Sequence, residues 1–106
     1  MKAIAIYTTV PNREVARAIA ETLVRRGLVA CAQISPIESF YAWNGAVENE
    51  PEFRLLLKTT EARYDAVETA IRELHPYELP AIHAVAFERV YAPYAQWVGD
   101  NSGGEI

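Results

Sequence analysis

Cysteine occurs once, at Cys31, so no intrachain disulfide can staple the fold. No apolar run approaches the roughly 20 residues that cross a bilayer. Ile4-Ala5-Ile6 is too short for the apolar stretch of a secretory leader. No tract of four or more Lys/Arg occurs; Arg25-Arg26 is the densest pair. With 14 acidic against 10 basic residues, the chain lacks the basic face that a nucleic-acid backbone requires. There is no P-loop, no G-x-G-x-x-G, no C-x-x-C and no nucleophile–base motif, so no enzyme is expected. Two histidines and one cysteine cannot supply a spaced tetrahedral zinc set. These absences point to a cytoplasmic protein without membrane or nucleic-acid partners.

What is present is apolar substance. Residues of the hydrophobic classes make up 51% of the 106, enough for one core and one domain over residues 1–106.

Residues 2–9 read as a strand, with Ile4, Ile6 and Thr8 alternating. Asn12 can cap a helix. Val15, Ile19 and Leu23 then form a stripe with Ala16, Ala20 and Val24 beside it. Gly27 is placed to end that helix in the left-handed region. Residues 28–34 form an apolar strand, broken at Pro36, and 39–43 resume the extended pattern. Asn44-Gly45 is the strongest short signal for a two-residue hairpin turn, and 46–59 return from it. Thr60 can cap a second helix carrying Tyr64, Val67, Ile71 and Leu74. That helix stops at Leu74, because His75 precedes Pro76. Residues 81–89 read as the last strand. Pro93 opens a short final helix with Trp97 and Val98 packing. Residues 101–106 are expected to fray.

The order β-α-β-β-α-β plus a terminal helix predicts an α+β, ferredoxin-like fold, with helices on one face of an antiparallel sheet. A two-residue loop at 44–45 pairs residues whose numbers sum to 89. Tyr41 then faces Glu48, Ser39 faces Glu50, and an unbroken ladder would set Cys31 opposite Lys58. Pro36 and Pro51 argue against unbroken pairing. The return strand far exceeds the usual ~5–6 residues. The helices cannot cover all of it, and a hairpin bearing Phe40, Tyr41 and Trp43 predicts pairing with further copies of the chain.

Chemistry-bearing side chains are few. Glu48, Glu50 and Glu52 share one strand face and could gather a hard cation, although a solvated strand face explains them more simply. Tyr41 could bond Glu48. His75, on a proline-stiffened turn and exposed enough to reach a ligand, is the best single ligand for copper or another divalent cation. His83 reads as a packed strand histidine. Cys31 reads as a small buried hydrophobe. Lys58 could anchor an anion.

The motifs Leu28-Val29-Ala30-Cys31, Ser39-Phe40-Tyr41-Ala42-Trp43-Asn44-Gly45, Glu48-x-Glu50, Leu57-Lys58-Thr59-Thr60, His75-Pro76-Tyr77-Glu78-Leu79-Pro80 and Tyr94-x-x-Trp97 resemble those of the CutA family of divalent-cation-tolerance proteins. The resemblance covers nearly the whole chain. It implies a homotrimer of PII-like architecture, with the long hairpin pairing across subunits. It further implies a role in tolerance to divalent metals, with copper proposed for the family. Of the cysteine and two histidines proposed as ligands there, this chain retains His75, with Thr8 and Leu74 at the other positions. Cys31, Tyr41, Glu48, Glu50, Lys58, Tyr77, Glu78 and Trp97 are the cleft candidates. In an alternative, PII-like binding module, Lys58, Tyr77 and Trp97 would line one site for a small anion or a protein partner.

Overall fold

A computed structural model describes residues 2–103 of the chain. Four strands form one antiparallel sheet: β1 (Ala3–Val10), β2 (Cys31–Trp43), β3 (Ala46–Thr60) and β4 (Ile82–Ala86). Their order across the sheet is β2-β3-β1-β4, the ferredoxin-like arrangement. The helices are α1 (Arg13–Arg25), α2 (Tyr64–Leu74) and α3 (Ala92–Asp100). No described helix is long and apolar enough to cross a membrane.

Local chemistry sets the ends of α1. The Asn12 side chain accepts from the Val15 amide at 2.9 Å. At the other end Gly27 takes φ +67°. The amides of Gly27 and Leu28 then bond the carbonyls of Val24 and Leu23, a Schellman cap, and β2 begins at Cys31 rather than at residue 28.

Alternation along the strands splits the sheet into two faces. Ile4, Ile6 and Val10 of β1 meet Leu55 and Leu57 of β3 on one face, where Ile19 and Leu23 of α1 and Val67 and Ile71 of α2 close the core. The opposite, outer face carries Tyr7, Leu56, Lys58, Cys31 and His83 by register. The third helix lies on this outer face, where Tyr94 sits under the Lys58 ammonium, rather than beside the other two. Its Val98 is fully buried.

Several expectations are corrected. The first hairpin strand runs unbroken through Pro36, and pairing sums to 89 from Trp43–Ala46 to Cys31–Lys58. Parity explains this. The pair flanking a two-residue turn is hydrogen-bonded and such pairs alternate, so Pro36–Phe53 and Glu38–Pro51 both fall at non-bonded positions. Neither proline costs the ladder a donor. Thr60 ends β3 and makes no side-chain cap; a 3-10 turn, Glu61–Arg63, intervenes before α2. β4 is shorter than residues 81–89, at Ile82–Ala86. Asn101 and Ser102 are held rather than frayed. Asn101 Nδ2 donates to the Trp97 carbonyl at 2.9 Å, and Arg63 Nε to the Ser102 carbonyl at 2.9 Å. The rest of the expected frayed tail, residues 104–106, lies outside the described residues.

One core position is imperfect. Thr8 is 1% exposed, and its hydroxyl is the one buried side-chain polar atom without a hydrogen-bond partner among the described residues. Thr8→Val keeps the shape and removes the unpaired hydroxyl. It is expected to stabilise the fold by roughly 1 kcal/mol in urea denaturation. A loss of that size instead would mean that the hydroxyl is paired in solution.

Candidate functional site

β1 ends at Val10, opposite Phe53. Residues 37–43 of β2 and 46–52 of β3 therefore project past the sheet as a two-stranded arm. Asn44 and Gly45 turn its tip at φ +49° and +78°, as the dipeptide predicts. Phe40 is 68% and Val47 77% exposed, so the arm lacks cover within this chain.

The root of the arm is where the functional candidates gather. β1 stops one pair short of Glu52, and the turn after α2 reaches Glu52 through the Tyr77 side chain. His75, buried at 9% exposure, is held at both ring nitrogens. Its Nε2 lies 2.8 Å from the Thr9 carbonyl, and its Nδ1 accepts the Tyr77 amide at 3.1 Å. That pairing selects the neutral tautomer with the proton on Nε2, donating to Thr9. Desolvation lowers the His75 pKa below its ordinary 6.5, opposed by the Thr9 carbonyl and by Glu52.

Tyr77 carries the network onward. Its ring lies 4.8 Å from that of His75, and its hydroxyl donates to Glu52 Oε2 at 2.6 Å. Burial, then the bond to Glu52, pushes the Tyr77 phenol far up. Glu52 is itself only 7% exposed. One strand position along the face, Tyr41 donates to Glu50 Oε1 at 2.5 Å. The Glu50 bond is the main cause of a Tyr41 pKa raised to about 12. Tyr41 does stand opposite Glu48, but its hydroxyl reaches the diagonal neighbour Glu50. The arm face therefore shows two carboxylates, each bonded by a protonated phenol, with Glu48 beyond them.

The expected candidates divide into two groups. Tyr41, Glu48 and Glu50 lie along the arm face whose root Tyr77 reaches, with Glu78 exposed on the adjoining turn. A groove of about 410 Å³ between that turn and α2 is lined by Arg72, Tyr77 and Glu78. Cys31, Lys58 and Trp97 lie at the other end of the sheet. Lys58 is six residues from Glu52 along β3, roughly 20 Å, so Lys58, Tyr77 and Trp97 do not line one site in a single chain. Cys31 is half-buried rather than a core residue. His83 is exposed and stacks on Tyr7 at 5.3 Å, rather than being packed inside. Glu52 was legible only as a strand-face carboxylate, and its burial follows from the turn folding over it.

The residues do not fit the copper set that the family resemblance implies. Thr8 offers a buried alcohol, Leu74 no donor, and His75 no open nitrogen lone pair. Among the described residues no group of three or more His, Cys, Asp or Glu is arranged to hold a metal ion.

Comparison with known proteins accords with the fold and the motifs. The chain is 40% identical over 97 residues to a protein CutA homolog of Xenopus laevis, covering 91% of this chain and 64% of that one. It is 38% identical over 99 residues to the divalent-cation tolerance protein CutA of Thermus thermophilus, covering 92% and 96%. The solved structure of the divalent cation tolerance protein from Thermus thermophilus superposes with a TM-score of 0.92 at 37% identity, over 95% of this chain and 99% of that chain. The family description "CutA1 divalent ion tolerance protein" matches residues 4–101, and the chain belongs to that family.

Proposed function

We propose that the chain works as a non-catalytic homotrimer that binds divalent cations weakly, through arm carboxylates supplied by more than one copy. The observation that carries this is the arm itself. It is a long ribbon with open edges and exposed aromatics, and one of its faces bears Glu48, Glu50 and Glu52. A ribbon of two strands is marginal alone, and pairing with neighbouring copies is its remedy. Carboxylate and phenol oxygens suit hard divalent cations better than copper. One chain gathers too few of them for a tight site, so affinity depends on assembly. Catalysis has little to work with: the phenols are held protonated, and the imidazole is engaged at both nitrogens. A cytoplasmic location remains part of the proposal, although a similar structure from Archaeoglobus fulgidus is described as periplasmic.

A second reading places copper on His75. It requires the ring to give up its bonds to Thr9 and Tyr77. Calorimetric titration of Mn²⁺ and Cu²⁺ into wild type, His75→Ala and Glu48→Gln/Glu50→Gln separates the two. Loss of Mn²⁺ heat in the glutamate variant, with Cu²⁺ heat and stoichiometry unchanged in His75→Ala, is the expected result. Loss of Cu²⁺ binding in His75→Ala alone would favour the imidazole site.

A further inference from the structure

At the end of the outer face away from the arm, one cation and two aromatic rings form a platform. Lys58 projects from β3 between Ala5 and Cys31, both uncharged, in the neighbouring strands. Its Nζ lies 5.3 Å from the centre of the Tyr94 ring. Tyr94 in turn stacks against Trp97 at 5.7 Å with the planes 18° apart. Among the described residues the one ion pair is Arg25–Glu21, and none of their carboxylates pairs with the Lys58 ammonium.

The platform is both rigid and open. Val98, next to Trp97, is fully buried and anchors α3, while Arg63 ties down the chain just beyond it through the Ser102 carbonyl. Trp97 remains 44% exposed. A ligand would meet an aromatic surface already ordered, with a charge fixed beside it, which lowers the cost of binding. A ring of the ligand can stack on indole, and a cation held on a π face still offers its N–H donors outward.

We infer that Lys58, Tyr94 and Trp97 bind a flat aromatic anion of nucleoside monophosphate type, with the base on Trp97 and the phosphate on Lys58. The 5.3 Å and 5.7 Å spans laid end to end bound the reach from ammonium to indole, which a molecule with a ring at one end and a phosphate at the other can fill. Within one chain this site lies at the opposite end of the outer face from the arm carboxylates.

Calorimetry with adenosine monophosphate, adenosine and inorganic phosphate tests it on wild-type protein in a metal chelator. Saturable binding of the nucleotide is expected, with adenosine and phosphate each at least about tenfold weaker, since each keeps one half of the recognition. Affinity should fall as salt rises from about 0.05 to 0.5 M, because the phosphate contact is screened. Lys58→Met and Trp97→Leu should each weaken binding about tenfold or more, with far-UV circular dichroism unchanged. No saturable heat, salt-independent binding, or equal affinity for adenosine would overturn the assignment. Should either variant fold poorly, the ligand series and the salt series on wild type still decide. Sedimentation of the same sample reports separately on the trimer.

Discussion

Replacing residues 38–51 by an Asn-Gly turn is expected to leave a folded monomer, whereas the intact chain is expected to sediment at three times 11.9 kDa. Ile37 and Glu52 stand opposite each other in the ladder. By the parity that runs back from Trp43–Ala46, theirs is a hydrogen-bonded pair, the kind that a two-residue turn closes. The deleted segment holds Phe40, Tyr41, Trp43 and Val47 but no member of the core cluster. Its loss therefore spares the fold while removing the surface proposed to join copies. The intact trimer should also melt later and in a concentration-dependent way. At protein concentrations a hundred- to a thousandfold above the dissociation midpoint, assembly adds roughly 3–4 kcal/mol. Analytical ultracentrifugation and thermal melts of both chains measure this. A shortened chain that still sediments as a trimer would place the interface elsewhere, and an intact chain that is monomeric at micromolar concentration would remove the assembly argument.

Much of the fold was legible because local and global signals agreed. Asn12 and Gly27 bracket the first helix by cap chemistry, and Asn44-Gly45 set a register that holds for the whole of β2. The two prolines misled because sequence shows a missing donor but not which way that donor would have pointed. Only the count from the turn shows that both point away from the partner strand. The site was less legible. His75 stands out in sequence as a lone imidazole on a stiff turn, which marks a ligand and a strut equally well. Its role depends on the Thr9 carbonyl, 66 residues earlier. Glu52 resembled its neighbours Glu48 and Glu50 until the turn at Tyr77 buried it. The platform at Lys58 was half visible, as a lysine and a tryptophan. Tyr94, which joins them, needed α3 to cross to the outer face.

His75 gives the second large effect, and its sign can be worked out. The folded state lowers the His75 pKa through burial, because a charged ring would lose solvation and its Nδ1 would no longer accept the Tyr77 amide. Between the lowered folded value and the ordinary 6.5, the unfolded chain binds more protons than the folded one. Stability therefore rises with pH through that window and is complete above it. On acidification the loss begins as pH falls through about 6.5, the unfolded value, and ends below the folded one. Protonation also reaches beyond the ring: freeing the Tyr77 amide loosens the turn whose hydroxyl holds Glu52 at the root of the arm. His75→Ala should cost roughly 2–4 kcal/mol at neutral pH, since it leaves the Thr9 carbonyl and the Tyr77 amide unpaired in a buried space. It should also flatten the part of the pH profile that starts near 6.5. Urea denaturation of both proteins from pH 5 to 8 supplies the comparison, with the difference curve isolating His75 from the carboxylates. If the two proteins lost stability in parallel across that range, the imidazole would not be the titrating group, and the strut joining β1, the turn and the arm would have to lie in the Tyr77–Glu52 bond alone.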